Sequence, residues 1–252
     1  MVAFEAKDTQ HQRFSSQPAN RFQSCFTTDI KQHAYWLDLL PAQPSLPDRP
    51  VKTVDVVIVG SGYTGLNAAL ETIRGGRSTL VLDAENPGCG CSTRNGGQIS
   101  TSIKPSLSDL TAKYGLKKAC AIRKEGENAL QWIETLIKRE KINCNFNRSG
   151  RYHAAHTPKH YEAIARDAEQ LNNKEGIEAY TIPKADQRKE LGSDVYFGGV
   201  VFPRHASVNP GLYHRGLLDR AVEAGVHVTG NCHVSGLRRG KNRFILSTSK
   251  GE

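Results

Sequence analysis

A glycine turn between a strand and a helix constrains the fold of this chain more than any other feature. The segment VDVVIVGSGYTGLNAAL, residues 54–70, begins with a nearly continuous apolar run, which is typical of a strand covered on both faces in a parallel sheet. Helical spacing follows the turn and ends at Gly75 and Gly76, and RSTLVLDA then predicts a second strand. The sequence therefore predicts a β-α-β unit.

The turn itself, GSGYTG, spaces Gly60, Gly62 and Gly65 in the pattern G-x-G-x-x-G. In that pattern the first glycine permits the tight turn, the second lets a pyrophosphate approach the backbone, and the third lets the helix pack on the strand. The free N–H groups at the helix N-terminus then face the phosphates. Since the turn follows a buried strand and opens a helix, we predict a dinucleotide site.

An acidic residue follows at the end of the second predicted strand. Asp83 lies eighteen residues after Gly65, where a carboxylate accepts hydrogen bonds from the adenosine ribose hydroxyls. Glu85 is an alternative, although Asp83 directly follows the strand residues LVL. A carboxylate here argues against a 2′-phosphate and hence against NADP, but the turn alone does not distinguish NAD from FAD. A nucleotide-free α/β domain with a tight turn is the plain structural alternative.

The composition is that of an ordinary globular protein, with 38% hydrophobic and 23% charged residues among 252. No apolar run is long enough to span a membrane, and the N-terminus has no apolar core behind a basic start, so we expect a cytoplasmic protein without a secretory signal. The net charge of +9 is spread along the chain beside acids, without an aromatic-basic stripe. We therefore do not expect nucleic acid as the main partner.

The six cysteines are scattered and predict neither a disulfide framework nor a pair of zinc knuckles. Cys89 and Cys91, in CGC, are candidates for a redox pair or half a metal site, but two thiols without further ligands make a poor site. We interpret CGC as small residues of a tight loop and predict no metal. The full set is Cys25, Cys89, Cys91, Cys120, Cys144 and Cys232.

The order of the predicted elements indicates an α/β fold in which a Rossmann-like parallel sheet is interrupted by an α+β domain. Residues 1–50 are predicted to be a polar N-terminal arm with one short helix at QHAYWLDLL. Residues 51–143 and 203–252 are predicted to be the two parts of the nucleotide-binding domain, and residues 144–202 the inserted domain. Within the insertion, CNFNRSGRYHAAHT predicts two short strands around Gly150.

Three segments resemble one protein family when they are taken together: GYTGLNAAL, VLDAENPGCGCSTRNGGQ and GGVVFPRHASVNPGLYHRGLLDRAVEAGVHV. They are similar to the FAD-dependent amine and amino-acid oxidases, which include D-amino-acid oxidase, sarcosine oxidase and glycine oxidase. The lead-in AYWLDLLP makes the likeness greatest to the branch of gamma-glutamylputrescine oxidoreductases. The resemblance runs from about Ala34 to the chain end, and STRNGGQ is its most specific part.

This resemblance implies that FAD is the cofactor and that the inserted domain is a substrate domain, of which this chain has only part. It implies a pyrophosphate loop made of Gly60, Ser61, Gly62, Tyr63, Thr64 and Gly65. The ribose would meet Asp83 and the adenine the backbone of Val234, and Ala84 is also among the implied cofactor-binding residues. Arg94 would pair with phosphate or steady a reduced, anionic flavin. The stretch along the pyrophosphate and under the flavin would be Cys91, Ser92, Thr93, Arg94, Asn95, Gly96, Gly97 and Gln98.

The chain departs from the family pattern in two places. The usual loop GASGRNGG reads GCGCSTRNGG here, and Thr93 in place of glycine is expected to strain the turn if that position needs a positive φ. The family also continues beyond a strand such as RFILSTSKGE, with a returning strand and the rest of the substrate domain. We therefore expect a C-terminally incomplete fold, the N-terminal part of a flavin oxidase.

The activity implied by the resemblance is oxidation of the C–N bond of an amine or amino acid, with a gamma-glutamylputrescine-like substrate. Hydride passes to the flavin, the imine hydrolyses to aldehyde and ammonia, and oxygen is the expected acceptor. The sequence identifies no particular catalytic acid or base: His205 is interpreted as a loop histidine bound to backbone, and His153 and His156 as surface positions.

Two other functions remain open from the sequence. The first is an NAD-dependent dehydrogenase that uses the same turn, and the second is a truncated, inactive dinucleotide-binding fragment. An incomplete parallel sheet leaves an unpaired strand edge and exposed apolar surface. A complementing C-terminal polypeptide is therefore an expected partner, beside the small-molecule amine.

Overall fold

A computed structural model describes Thr27, residues 29–31 and residues 34–251, including all of their side chains except those of Lys174 and Glu175. The predicted N-terminal arm lies largely outside the described residues, and Cys25 lies outside them as well. The short helix predicted at QHAYWLDLL is present in its described part as a 3-10 helix at Tyr35–Leu39.

The described part of the chain contains five α-helices and ten strands in mixed order. The helices are α1 Tyr63–Arg74, α2 Leu107–Tyr114, α3 Leu116–Arg139, α4 Pro158–Gln170 and α5 Pro210–Glu223. The strands are β1 Val56–Val59, β2 Thr79–Leu82, β3 Gln98–Ile99, β4 Arg151–Ala154, β5 Tyr180–Ile182, β6 Gly199–Phe202, β7 Ala206–Ser207, β8 His227–Thr229, β9 Val234–Arg239 and β10 Phe244–Thr248.

The first sheet is parallel, with β2 between β1 and β8. Val56 of β1 lies opposite Thr79, and Leu80 of β2 lies opposite His227. All four residues of β2 are buried, as its apolar run predicts for a strand covered on both faces. The predicted β-α-β unit and the Rossmann-like parallel sheet are therefore confirmed.

Each face of this sheet has its own core. On one face, α1 and α5 pack against the strands through residues such as Leu66 and Leu217, around Val81 at the centre. On the other face, the antiparallel β9–β10 hairpin places Leu246 against Leu80 and Leu82. Helices on one side and a hairpin on the other leave the carboxyl end of β1 free for the glycine turn.

The second sheet is antiparallel, with β6 between β4 and β5. Helix α4 covers one face, where Ile164 and Ala168 pack with Val200 and Phe202. Of the two strands predicted around Gly150, only β4 forms, because the residues before it contribute a single isolated bridge to Ser207. The sheet lies in the stretch predicted as the inserted domain, and the domain boundaries themselves stay predictions.

The ends of α1 and α3 are joined by an ion pair. Arg74 donates to both carboxylate oxygens of Glu140, at 2.9 and 2.7 Å, and Arg139 donates to one of them at 2.8 Å. Only 6% of the Glu140 side chain is exposed. These hydrogen bonds lower the pKa of Glu140 from 4.5 to about 2, and the hydrogen bond from Arg74 is the largest cause.

We expect this carboxylate to make stability depend on pH. Because the folded pKa of Glu140 lies below its unfolded value, its contribution is present above pH 4.5 and is lost as the pH falls toward 2. Glu140→Gln should lower the free energy of unfolding by about 2 kcal/mol at pH 7. Denaturant titrations at pH 7 and pH 3 check this: equal losses at both values would contradict the assignment. Glu223→Gln, on an exposed pair with Arg220, is the control and should change little.

Candidate functional site

The glycine turn lies at the carboxyl end of β1, and the local geometry accounts for the position of each of its glycines. Gly60 has φ +97° and donates its N–H to the Leu82 carbonyl at 2.7 Å, which ties the turn to β2. Gly62 is the N-cap residue of α1. A Cβ on Gly65 would lie 2.0 Å from the Gly60 carbonyl oxygen, so no other residue lets α1 pack so closely on the turn.

Asp83 connects the end of β2 to the same turn. One of its carboxylate oxygens accepts both the N–H and the hydroxyl of Ser61, and the other accepts the N–H of Glu85 at 3.1 Å. The predicted acid is therefore beside the glycine turn, and Ser61 is fully buried between them. Glu85, the alternative acid, is exposed and takes part through its backbone.

The loop that contains residues 91–97 reaches the N-terminus of α1 through the side chain of Ser92. Its hydroxyl oxygen accepts the N–H of Tyr63 at 3.1 Å and lies 3.0 Å from the position of a Cβ on Gly62. This contact brings together the two segments that the sequence placed around one dinucleotide. The Tyr63 amide is therefore already bonded within the chain, and a phosphate at this helix N-terminus is left to the other N–H groups of the turn.

Thr93 does not strain the loop, because the condition for strain, a positive φ at that position, is not met. It lies in a 3-10 turn at Cys91–Thr93 and is not among the residues with positive φ. Its hydroxyl donates to the Gly88 carbonyl, and its side chain is fully buried. The hydroxyl satisfies a backbone acceptor within the loop, which explains how a β-branched residue replaces glycine here.

Asn95 and Gly97 hold the end of the loop. The Asn95 amide donates to the carbonyls of Cys91 and Ser92 and accepts the Gly97 N–H at 2.9 Å. Gly97 has φ +69°, and its carbonyl accepts the Val208 N–H at 2.9 Å. Gln98 then begins β3, so the loop is fixed to β7 directly after the predicted flavin contacts.

Two contacts of the candidate site were not predicted from the sequence. Trp36, in the AYWLDLLP lead-in, donates its indole N–H to the Asn95 carbonyl at 2.8 Å. His214, on α5, contacts the Ser61 carbonyl through Nε2 at 2.8 Å, and because a carbonyl only accepts, Nε2 carries the proton. The lead-in motif was a signal for the first contact, whereas no local pattern indicated the second.

The packing under the turn is aromatic. Tyr63 lies 4.9 Å from Tyr213 between ring centroids and donates its hydroxyl to the Pro210 carbonyl at 3.0 Å. Burial raises the pKa of Tyr63 to about 12 and lowers the pKa of His214. Both side chains are therefore neutral at pH 7, and they support the turn by packing and hydrogen bonding instead of by charge.

Most of the remaining predicted site residues are exposed. The Arg94 guanidinium makes no hydrogen bond or ion pair within the described part of the chain. Val234 begins β9 and packs with Leu80 and Leu82. Exposed positions are Thr64, Ala84, Cys91, Arg94, Asn95, Gly96 and Gln98.

The three histidines considered from the sequence lie where the sequence predicted them. His205 is buried and accepts the Thr101 N–H at Nε2, 3.3 Å away, as expected for a loop histidine bound to backbone. Burial lowers its pKa to about 4. His153 and His156 are exposed, again as expected. Among the residues that the structure describes, no group of three or more His, Cys, Asp or Glu side chains could hold a metal ion.

The residues at the turn fit the ADP part of FAD. No acidic side chain lies in the first turn of α1, so nothing there repels a phosphate. The three bonds to Asp83 leave room for a ribose hydroxyl, because an ionised carboxylate has about four acceptor sites.

The described helices also include none that is long and apolar enough to cross a membrane.

Comparison with known proteins agrees with this geometry. A family model described as "FAD dependent oxidoreductase" matches residues 55–252. The gamma-glutamylputrescine oxidoreductase of Escherichia coli (strain K12) is 31% identical over 161 residues, 63% of this chain and 37% of that protein. The probable oxidoreductase OrdL of Haemophilus influenzae is 26% identical over 182 residues, 72% of this chain and 42% of that one.

The fold also matches solved structures. The glycine oxidase of Geobacillus kaustophilus superposes with a TM-score of 0.64 at 19% identity, over 79% of this chain and 52% of that one. The likeness at this identity shows the fold alone. In each comparison the chain spans about half the length of its relative, or less.

Proposed function

Because this chain belongs to the family of FAD-dependent oxidoreductases, we propose that residues 60–65 hold the ADP part of FAD in a protein that oxidises the C–N bond of an amine or amino acid. The observation that carries the proposal is the joint geometry of the turn. Gly65 packs on Gly60, and Asp83 is hydrogen-bonded to Ser61 at the mouth of α1. The family depends on FAD, so the NAD-dependent alternative is not retained.

Each part of the site has a distinct task in this proposal. The N-terminus of α1 binds the pyrophosphate, Asp83 accepts a ribose hydroxyl, and the exposed Arg94 guanidinium pairs with phosphate or with a reduced, anionic flavin. Bound FAD supplies the acceptor for the two electrons of the amine. The backbone of Gly96 and Gly97 approaches the flavin, and Asn95 keeps that backbone in position. No side chain of this chain is assigned as acid or base.

The proposed substrate is an amine of the gamma-glutamylputrescine class. The support is the E. coli relative of that name and the glycine oxidase structure, both of which act on amino compounds by their names. The amine loses two electrons and two protons to become an imine, which water hydrolyses to aldehyde and ammonia. Oxygen takes up the two electrons and two protons and becomes hydrogen peroxide.

We place this activity in the chain together with a complementing polypeptide. The matched parts are 42% and 37% of the length of the two curated relatives, which supports a second polypeptide that supplies the rest of the substrate domain. An inactive dinucleotide-binding fragment is the second candidate, and the absence of oxidation with FAD bound would favour it.

A cytoplasmic location belongs to the proposal, and the free thiols at Cys89 and Cys91 fit a reducing compartment.

The deciding experiment is the visible spectrum of the purified chain with and without added FAD. A flavin band that remains with the protein through gel filtration supports the site, and a parallel NAD titration should show no binding. Protein that stays monomeric and folded but colourless with excess FAD would contradict the proposal. A flavin-loaded sample is then screened with amines for peroxide.

Asp83→Asn tests the ribose assignment. The amide cannot accept the Ser61 and Glu85 bonds together, so we expect FAD to bind roughly tenfold to a hundredfold more weakly. Asp55 offers a matched control, because one of its oxygens accepts the N–H and hydroxyl of Ser78 at the other end of the sheet. Asp55→Asn should leave FAD affinity unchanged in fluorescence titrations. Equal losses in the two variants would show that stability, not ribose binding, is affected.

A further inference from the structure

The AYWLDLLP motif is attached to the rest of the chain by a few specific contacts. It makes up most of residues 34–42, which we call the strap. The 3-10 helix within the strap, Tyr35–Leu39, contains no buried residue. A segment that buries so little apolar surface gains little from the hydrophobic effect, so its position depends on those contacts.

Arg215 fixes one end of the strap on α5. One nitrogen of its guanidinium, Nη1, donates to the carbonyls of Pro41 and Ala42, both at 2.7 Å. Only 7% of Arg215 is exposed. Hydrogen bonds from a charged donor are about twice as strong as neutral ones, so this buried guanidinium anchors the backbone of the strap.

Gly211, in the first turn of α5, lets the strap lie directly on the backbone of the helix. A Cβ at this position would be 3.1 Å from the carbonyl oxygen and the Cβ of Trp36, and 3.1 Å from a methyl group of Leu40. Those distances are shorter than ordinary van der Waals contact, so a side chain here would lift the strap. The path of the strap over α5 is therefore set at two places, Gly211 and Arg215.

Trp36 connects the strap to the peptide group between Asn95 and Gly96. Its indole N–H donates to the Asn95 carbonyl at 2.8 Å. Because a trans peptide is planar, the C=O and the N–H of this group point in opposite directions. The bond from Trp36 therefore directs the Gly96 N–H away from the strap. The space beside Gly96 is open, since a Cβ there would meet no atom within 4 Å.

We propose that the strap orders the flavin end of the site, and that Trp36 and Arg215 are positioning residues that direct the Gly96 N–H toward the isoalloxazine ring of FAD. The inference rests on the proposed function, in which the backbone of Gly96 and Gly97 approaches the flavin. Asn95 extends the effect, because its side chain accepts the Gly97 N–H at 2.9 Å. A strap that holds Asn95 therefore orders both glycine amides.

The two ends of the site respond differently to the strap. The ADP part of FAD is assigned to residues 60–65 and Asp83, and Ser61 in that turn is held by Asp83 and His214. Loosening the strap should therefore weaken the binding of FAD and leave the binding of ADP unchanged. A residue that only stabilised the fold would weaken the binding of both ligands.

Calorimetric titration of the full 252-residue chain with FAD and with ADP tests the proposal. Trp36→Phe removes the indole N–H and keeps an aromatic ring beside Gly211. We expect FAD to bind about tenfold more weakly to this variant, and ADP to bind as it does to the parent protein. Trp132→Phe, at an exposed position on α3, is the matched control and should change neither affinity.

Arg215→Met and Arg215→Lys separate the hydrogen bonds of this residue from its packing. Both bonds come from a single nitrogen, so a lysine ammonium with three donors can replace them. Arg215→Met should weaken FAD binding roughly fivefold to tenfold with ADP binding unchanged, and Arg215→Lys should restore most of the FAD affinity. Methionine fills a similar space, so rescue by lysine alone assigns the effect to the bonds.

Hydrogen exchange measures the coupling without any activity. A coupling free energy is reciprocal, so FAD should slow exchange of the Leu40 amide, which is bonded to the Leu37 carbonyl within the strap. ADP should not slow it. Without any ligand, the Gly97 amide should exchange faster in Trp36→Phe than in the parent protein, while the Gly60 amide, bonded to β2, should exchange at the parent rate.

Three results would overturn the proposal: Trp36→Phe weakens FAD and ADP binding alike, it weakens neither, or the Gly97 amide of this variant exchanges at the parent rate. A parent chain that binds neither ligand would instead refute the proposed function. Exchange of the Gly97 amide in the ligand-free chain would then still decide whether the strap holds the loop.

Discussion

Gly65→Ala is expected to abolish flavin retention and to lower the free energy of unfolding by about 3 kcal/mol. The added Cβ would lie 2.0 Å from the Gly60 carbonyl oxygen and 3.3 Å from a methyl group of Ile58. The obstacle is backbone and not a flexible side chain, so α1 has to move away from β1. That movement displaces the helix N-terminus from the pyrophosphate position.

Gly192→Ala is the matched control for this substitution. A Cβ at Gly192 meets no atom within 4 Å, and its φ is not positive, so stability and flavin binding should both stay unchanged. Denaturant unfolding and retention of the flavin band through gel filtration measure the two effects. A Gly65→Ala protein of normal stability with bound flavin would show that α1 does not pack on the turn as described.

Gly97→Ala is expected to have an effect of similar size through a different contact. Gly97 has φ +69°, which alanine adopts at a cost of about 1 kcal/mol, and its Cβ would lie 2.1 Å from the Val208 carbonyl oxygen. The loop would separate from Val208, whose N–H donates to Gly97. We expect a loss of about 3 kcal/mol in the free energy of unfolding together with the loss of flavin.

The neighbouring Gly96→Ala separates folding from cofactor contact. A Cβ on Gly96 meets nothing within 4 Å in this chain, so the stability of the variant should equal that of the parent protein. Weaker flavin binding at unchanged stability would identify Gly96 as a direct flavin contact. A Gly97→Ala protein as stable as Gly96→Ala would contradict the described loop geometry.

The sequence indicated the turn well because the contacts involved are mostly between residues near in sequence. The apolar run of β1, the glycine spacing and the helical period of α1 lie within about twenty residues. Each of these patterns reports a local backbone requirement. The acid at Asp83 was equally predictable, because it ends the strand that directly follows α1.

Other features could not be predicted from local patterns. The sequence suggested strain at Thr93, but the backbone of the loop avoids a positive φ there, and the buried hydroxyl reaches Gly88. Strands β3 and β5 have only two and three residues, and their pairing partners impose their extended form. The hydrogen bond from His214 to the Ser61 carbonyl joins two residues that are 153 positions apart in the sequence.

The sequence by itself determined the β-α-β unit, the glycine turn, its acid and the family likeness, because short-range sterics and hydrophobic period decide these features. Only the tertiary structure decided that Trp36 holds Asn95, that His214 lies behind Ser61, and that β1 is an edge strand among the described residues. These contacts depend on how distant segments pack against one another. A strand's composition reports how it is covered, but its neighbours in the sheet are known only when the whole chain is placed.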